Sequence, residues 1–233
     1  TQPPPVPAPA GAGHRRSALT YPGMVIAFGA AMGLGFVFGS YEVSVVAFTE
    51  RAGVAGASGI VLALWALGSM MGGLWFGARH WRTPLATQAA ICMTLVMIAL
   101  IPAVLVRSVP MLTLVTFIGG AAVAPALITG FSLAERLVPT ERLTEGLTWA
   151  TSGLSLGLSG GAAVAGFVID AAGTTVSFLL PIAGAAAATA ILWLRRPRLN
   201  AVIRPYGESE PAIVSAPDPI PGPAPGAIVD DAP

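Results

Sequence analysis

The feature that most constrains this chain is a run of 29 mainly apolar residues, 21–49, whose only charged side chain is Glu42. A helix rises about 1.5 Å per residue and the hydrocarbon core of a bilayer is about 30 Å thick, so about 20 apolar residues cross it. A charge at the centre of such a helix costs about 2.5 to 3.5 kcal/mol on insertion scales. The run therefore predicts a membrane-spanning helix whose carboxyl group faces protein or a water-filled cavity.

Small residues share a helical face with this acid. At 100° per residue, Ala31, Gly35, Gly39 and Val46 lie on the same side as Glu42. Small residues let two membrane helices approach closely, so this face is expected to pack against other protein or to open onto it. In the alternative interpretation, Glu42 lies about 10 Å past the middle of the run and reaches the lipid headgroups.

The whole composition indicates an integral membrane protein. The chain has 233 residues, 55% of them hydrophobic and 10% charged, with a mean hydropathy of +0.77. Soluble domains have about 25% charged residues. The net charge is +1, so no basic face suits nucleic acid, and the single cysteine, Cys92, lies inside an apolar run and cannot form an intrachain disulfide. We predict neither a metal site nor a cofactor.

Six apolar runs predict six membrane-spanning helices. They cover residues 21–49, 57–78, 83–106, 111–134, 146–169 and 176–194, and the longest connection between them is ERLVPTERLTE, residues 135–145. Residues 1–20 are predicted to be a disordered linker rich in Pro and Ala, residues 21–197 a six-helix bundle, and residues 198–233 a disordered tail rich in Pro. The first residue is Thr1 rather than Met, so we expect the chain to have been processed or excised from something larger.

Arginine distribution predicts the orientation. Ten arginines lie on one side of the predicted membrane and two, Arg51 and Arg107, on the other. Positive charge accumulates on the cytoplasmic side, so both termini are predicted to be cytoplasmic in a multi-pass protein of the inner or plasma membrane. The bias toward Arg, Ala, Gly and Pro is typical of a GC-rich bacterial gene.

Glycines are unevenly distributed among the runs. The third run has none and the sixth has one, whereas the second and fifth have five and six, including Gly68, Gly72, Gly73, Gly153, Gly157 and Gly161. Runs one, two, four and five are therefore expected to form an inner ring, and runs three and six to face lipid on one side. Residues 65–69 (WALGS) are similar to residues 149–153 (WATSG) three runs later, which favours a 3+3 inverted repeat.

Three residues inside the runs have two possible roles each. Trp65 and Trp149 suit a pocket for an amphipathic solute, but a tryptophan near the end of a span also anchors it at the membrane interface. Pro125 frees a backbone carbonyl in run four, which makes either a gate or a tolerated kink. Thr116 and Thr129 are expected to hydrogen-bond within their own helix.

Residues 39–43 (GSYEV), 63–69 (ALWALGS) and 143–149 (LTEGLTW) together resemble the carboxy-terminal six-helix half of a bacterial major facilitator superfamily transporter. The resemblance covers about residues 20–197. It implies that runs one to six correspond to helices seven to twelve, that runs one, two, four and five line the pathway, and that an amino-terminal six-helix half is the missing partner. It also implies an all-α membrane protein that is half of a twelve-helix fold.

The family's cytoplasmic loop motif matches in part. Gly73 fits, and Arg79 and Arg82 supply the basic residues, but Gly77 stands where the family has an acid. In the alternative interpretation the two arginines only anchor the span, with Trp81 at the interface.

The sequence also contains a pattern found in intramembrane serine proteases. Residues 153–157 and 157–161 both match G-x-S-x-G, but a nucleophilic serine needs a base. Such proteases take it from a histidine on a later helix, and the only histidines, His14 and His80, precede the motif. The chain is therefore predicted not to be an enzyme.

The resemblance to the major facilitator superfamily implies secondary active transport of a small solute by alternating access. The transport would be proton-coupled efflux or uptake, with Glu42 as the proton or cation site. The alternative function is a six-helix membrane scaffold or partner subunit that does not transport.

Overall fold

The computed structural model describes residues 17–203, and this part of the chain contains helices and no strand. A 3-10 turn, Ala18–Thr20, precedes α1, Met24–Arg51, and α2, Ala57–Gly77. Next come α3, Leu85–Leu100, its 3-10 extension Ile101–Leu105, α4, Val109–Gly120, and α5, Val123–Leu137. The 3-10 turn Thr140–Arg142, α6, Leu143–Ala172, α7, Thr174–Ser177, and α8, Leu179–Val202, complete the order.

Six of these segments are long and apolar enough to cross a membrane, which confirms an all-helical, multi-pass architecture. Spans one and two are α1 and α2, span three is Leu85–Leu105, and span four is Val109–Leu137. Span five is Thr140–Ala172 and span six is Thr174–Val202.

The connection between spans four and five is shorter than predicted. Instead of residues 135–145, only residues 138–142 separate α5 from α6, and three of these form a 3-10 turn. Val138 is extended because it precedes Pro139, which ends α5. Glu145 lies in the first turn of α6, where the helix dipole favours an acid, so the polar residues begin the helix rather than interrupt it.

The predicted linker at residues 1–20 ends too late, because its last residues are ordered. Ala18 is fully buried. The carboxylate oxygen Oε1 of Glu145 accepts hydrogen bonds from the Ala18 backbone N–H at 2.8 Å and from the Ser17 hydroxyl at 3.0 Å. The Arg142 guanidinium forms an ion pair with the other carboxylate oxygen of Glu145, Oε2, at 2.9 Å. The remainder of that linker, residues 1–16, lies outside the described residues.

The predicted tail at residues 198–233 begins too early. The last helix continues through Pro197 to Val202, and Leu199 is 1% exposed. Leu199 packs beside Gly23, and the side-chain amide of Asn200 donates to the Thr87 hydroxyl at 3.3 Å. These contacts with spans one and three explain why a charged segment stays helical. Residues 204–233 lie outside the described part of the chain.

Five pairs of spans form the main packing contacts. Span one packs on span five, span two on span four, and span three on span six. Span one also contacts span six, and span three contacts α5 of span four.

Burial inside the described bundle differs among the spans, and the inner ring, which concerns a pathway toward a second half, stays a prediction. Half of the apolar window of span one is buried, against 39% in spans three and six and 22% in spans two and five. Spans two and five each use one glycine-rich face to contact a neighbour, and their opposite faces are open. Within the described bundle these two spans are therefore the least buried.

Candidate functional site

Spans one and five are in backbone contact along a stripe of glycines. A side chain at Gly35 would collide with the carbonyl of Leu154, and one at Gly39 with the carbonyl of Leu158. The contacts advance by four residues on both helices, so the two helices run in the same direction. From the other side, Gly153, Gly157 and Gly161 lie against the backbone of Phe28, Met32 and Phe36. The face predicted from the small residues around Glu42 is thus occupied by span five.

Spans two and four meet in the same way. The carbonyls of Phe117 and Ala121 occupy the space that side chains at Gly68 and Gly72 would need. Gly120 in turn lies against the carbonyl of Trp65. A Cβ added at Gly73, one residue further, would lie 2.9 Å from the Ala124 methyl group and near no other atom of a neighbouring span. The two glycine interfaces therefore join spans one to five and two to four.

Pro125 lies just after a break in span four. Helix α4 ends at Gly120 and α5 begins at Val123, so Ala121 and Ala122 separate them. A proline has no N–H, and the carbonyl that loses its partner belongs to the residue four positions earlier, Ala121. That carbonyl is the one that lies against Gly72. The break predicted from Pro125 is thus part of the contact with span two.

Glu42 lies on α1 one turn beyond Gly39 and is partly exposed. Within residues 17–203, no group donates a hydrogen bond to its carboxylate. The neighbouring hydroxyls are used inside the helix, since Ser40 donates to the Phe36 carbonyl and Ser44 to the Ser40 carbonyl. An acid placed in this way can exchange a proton with water that reaches it.

Trp65 lies in an aromatic cluster between spans one and two. Its ring centroid is 5.0 Å from that of Phe38 and 5.3 Å from that of Tyr41, and the residue is only 7% exposed. The Tyr41 hydroxyl hydrogen-bonds the Thr116 hydroxyl across to span four at 2.7 Å. In this conformation the ring contacts protein, and its role in a solute pocket stays a prediction. Thr116 bonds another helix, contrary to expectation, whereas Thr129 bonds its own helix at Pro125.

Trp149 contacts span one. Its ring makes an edge contact with the ring of Phe28, with centroids 6.1 Å apart and planes at 73°. The residue lies one turn after Glu145, near the start of α6. This position fits either an interface anchor or one end of a pathway.

The connection between spans two and three holds the residues of the loop motif. The Arg79 guanidinium lies 5.5 Å from the centroid of the Trp75 ring and 5.9 Å from that of Trp81. In the described part of the chain neither Arg79 nor Arg82 pairs with a carboxylate. A charge relay through this loop would need an acid, and Gly77 supplies none.

A row of hydroxyl groups on span five was not recognised in the sequence as a site. Thr148, Thr151, Ser152, Ser155 and Ser159 line an open groove of about 640 Å³ together with two leucines. Four of the five are exposed, and only Ser152 is partly buried. Thr148, Thr151, Ser155 and Ser159 are spaced by three to four residues, which is the helical signal that could have identified the row. The row was missed because serines and glycines alternate in this segment and match the G-x-S-x-G pattern of the proteases.

Lipid tails offer these hydroxyls no hydrogen-bond partner. Thr148, Thr151 and Ser159 donate to carbonyls four residues earlier in their own helix. Their oxygens can still accept hydrogen bonds from water or a solute. The row therefore makes a polar strip on an otherwise apolar span.

No protein family, curated protein or solved structure matches the chain, so its resemblance to the major facilitator superfamily rests on the quoted residues alone.

Proposed function

We propose that this chain is one half of a secondary active transporter of the major facilitator type and moves a small solute by alternating access. The observation that carries the proposal is the hydroxyl row on span five. Two hydroxyls of the row, those of Ser152 and Ser155, have no hydrogen-bond partner within residues 17–203, and water or protein beside the row would supply one. A transport pathway between this bundle and a second six-helix unit supplies both.

The contacts between spans support an inverted repeat. In an inverted repeat, span one corresponds to span four, span two to span five and span three to span six. Under this correspondence the contact between spans one and five matches the contact between spans four and two. The contact between spans one and six likewise matches the contact between spans four and three, and the contact between spans three and six matches itself. Consecutive spans alternate in direction, so the two sets of three are inverted.

The glycine contacts support the same repeat at the level of residues. In span two, Gly68 and Gly72 meet residues 117 and 121 of span four. In span five, Gly153 and Gly157 meet residues 28 and 32 of span one. Both pairs are four residues apart on both helices. Gly68 and Gly153 also lie in the two similar segments, 65–69 and 149–153.

Cysteine accessibility tests the pathway. We expect Ser155→Cys, in a chain whose Cys92 is replaced by Ala, to react with a polar thiol reagent at least about tenfold faster than Ile98→Cys, because a thiol ionises only where it is hydrated. Both positions are exposed and near the middle of their spans, and Ile98 lies on the apolar surface of span three. The measurement uses the assembled protein in native membranes. Equal, slow reaction at both positions would favour the scaffold function, in which a partner covers the row.

Orientation is tested separately. We propose that residues 138–142 face the cytoplasm, as the arginine distribution predicts. Thr140 is exposed in this connection, so Thr140→Cys should be labelled by a membrane-impermeant reagent only after the cells are opened. Gly53→Cys, in the connection between spans one and two, should be labelled from outside intact cells. The reverse result would overturn the assignment of the termini to the cytoplasm.

A further inference from the structure

An apolar groove of about 600 Å³ opens between spans two, three and four. Its hydroxyl and amide side chains, Thr83 and Gln88, lie at the end near the connection 78–84, and the remaining lining is mainly apolar. From Gln88 to Ile98, both of which line the groove, α3 rises about 15 Å. This is half of the hydrocarbon core of about 30 Å, so the groove has the depth of one leaflet.

The groove is open toward the surrounding lipid. Leu95 and Ile98 on one wall are 50% and 52% exposed, and Ile118 on the other wall is 62% exposed. Its volume is within the range of about 300 to 1,000 Å³ typical of ligand pockets. An acyl chain can therefore enter from the side without a conformational change.

A positioned arginine lies at the outer end. The Arg79 guanidinium is near the Trp75 and Trp81 rings, at 5.5 and 5.9 Å, and both tryptophans line the groove. Trp81 is itself fixed, since its indole N–H donates to the Phe76 carbonyl at 3.0 Å and its ring stacks on the Phe76 ring at 4.8 Å. The two rings hold the guanidinium by cation–π contact at the mouth of the groove.

Among the described residues, no carboxylate neutralises the charge at this mouth. Arg79 and Arg82 have no carboxylate partner within residues 17–203, and the sequence between Glu50 and Glu135 contains no acid at all. A guanidinium held by aromatic faces keeps its N–H donors free, and their fork geometry matches a phosphate.

We propose that this groove is a binding site for an anionic phospholipid, with one acyl chain in the groove and the phosphate on Arg79. The second basic side chain, Arg82, favours an anionic over a zwitterionic headgroup. The site is separate from the hydroxyl row on span five and does not depend on the transport proposal.

Quenching by brominated lipids tests the site in the purified chain in vesicles. A reporter chain keeps Trp75 and Trp81 and has phenylalanine at the other three tryptophan positions. A control chain keeps only Trp193, which lies outside the groove and also has an arginine, Arg196, 4.4 Å from its ring centroid. The measured quantity is quenching by brominated phosphatidylglycerol relative to brominated phosphatidylcholine.

We expect this ratio to be about fivefold higher for the reporter chain than for the control chain, which corresponds to about 1 kcal/mol for one arginine at an anionic surface. Arg79→Gln should bring the two ratios together, and Arg79→Lys should restore part of the difference. Leu95→Phe should narrow the groove and lower quenching of the reporter by both lipids.

Equal ratios in the two chains, or a preference that survives Arg79→Gln, would overturn the proposal. Loss of the preference when inorganic phosphate is added would show that the site binds soluble phosphate, which also overturns it. If the tryptophan variants do not fold, native mass spectrometry compares the unmodified chain with the Arg79→Gln variant. The proposal requires the unmodified chain to retain phosphatidylglycerol and the Arg79→Gln variant to lose it.

Discussion

Replacing Gly157 with alanine should destabilise the bundle by about 2 to 3 kcal/mol, the cost of forcing extra volume into a packed interface. The added methyl group would meet the carbonyl of Met32, and the Phe36 backbone nitrogen would lie 2.8 Å away. Backbone atoms inside α1 cannot move without shifting the whole helix. Reversible unfolding of the purified chain by a denaturing detergent measures the loss, and thermal unfolding should shift down by about 5 to 10 °C.

Gly160→Ala is the matched control. It lies on the same helix, and an added methyl group there would meet nothing within 4 Å. Its stability should stay within about 0.5 kcal/mol of the unmodified chain. If the two variants lost stability equally, the contact between spans one and five would not be the cause, and the packing described above would be wrong at this position.

On the proposed proton-coupled transport, Glu42→Gln should abolish accumulation driven by a pH gradient while leaving solute exchange without a gradient largely intact. Glutamine keeps the size and the hydrogen-bonding capacity of the side chain but cannot release a proton. A carboxyl group that couples transport must take up a proton on one side of the membrane and release it on the other. The assay uses vesicles that contain this chain together with the proposed second six-helix unit, and it compares driven uptake with exchange.

Glu50→Gln makes the same charge change on the same helix, at its exposed end. This variant should accumulate solute like the unmodified protein. If Glu42→Gln also transported normally from mildly acidic to mildly alkaline pH, Glu42 would be an acid at the headgroups, and the mechanism would lack its coupling residue.

The apolar runs predicted the spans well because a bilayer imposes a length and a composition on any helix that crosses it. The break in span four was also readable, since Pro125 removes a hydrogen-bond donor wherever it lies. The apolar runs do not show which helix packs against which. The stripe at Gly35 and Gly39 indicated a close contact, but its partner, the backbone of span five, depends on the arrangement of all six spans.

The ends of the bundle were predicted less well for a similar reason. Ala18 and Leu199 lie in segments that are polar or rich in proline, so local composition favours disorder. Both are buried because of distant contacts, the first with Glu145 and the second beside Gly23. The sequence shows the helical spacing of the hydroxyl residues on span five. Only their exposure in the structure distinguishes them from serines that pack against another helix.

The hydrogen bonds of Glu145 have a mechanical consequence. They fasten the backbone of Ala18, 127 positions away, to the first turn of span five, while glycines join the same span to span one along the bundle. A displacement of Ala18 is therefore transmitted to both spans at once. We therefore expect spans one and five to move as one unit, and any bending of the bundle to occur at less tightly joined places such as the break between α4 and α5.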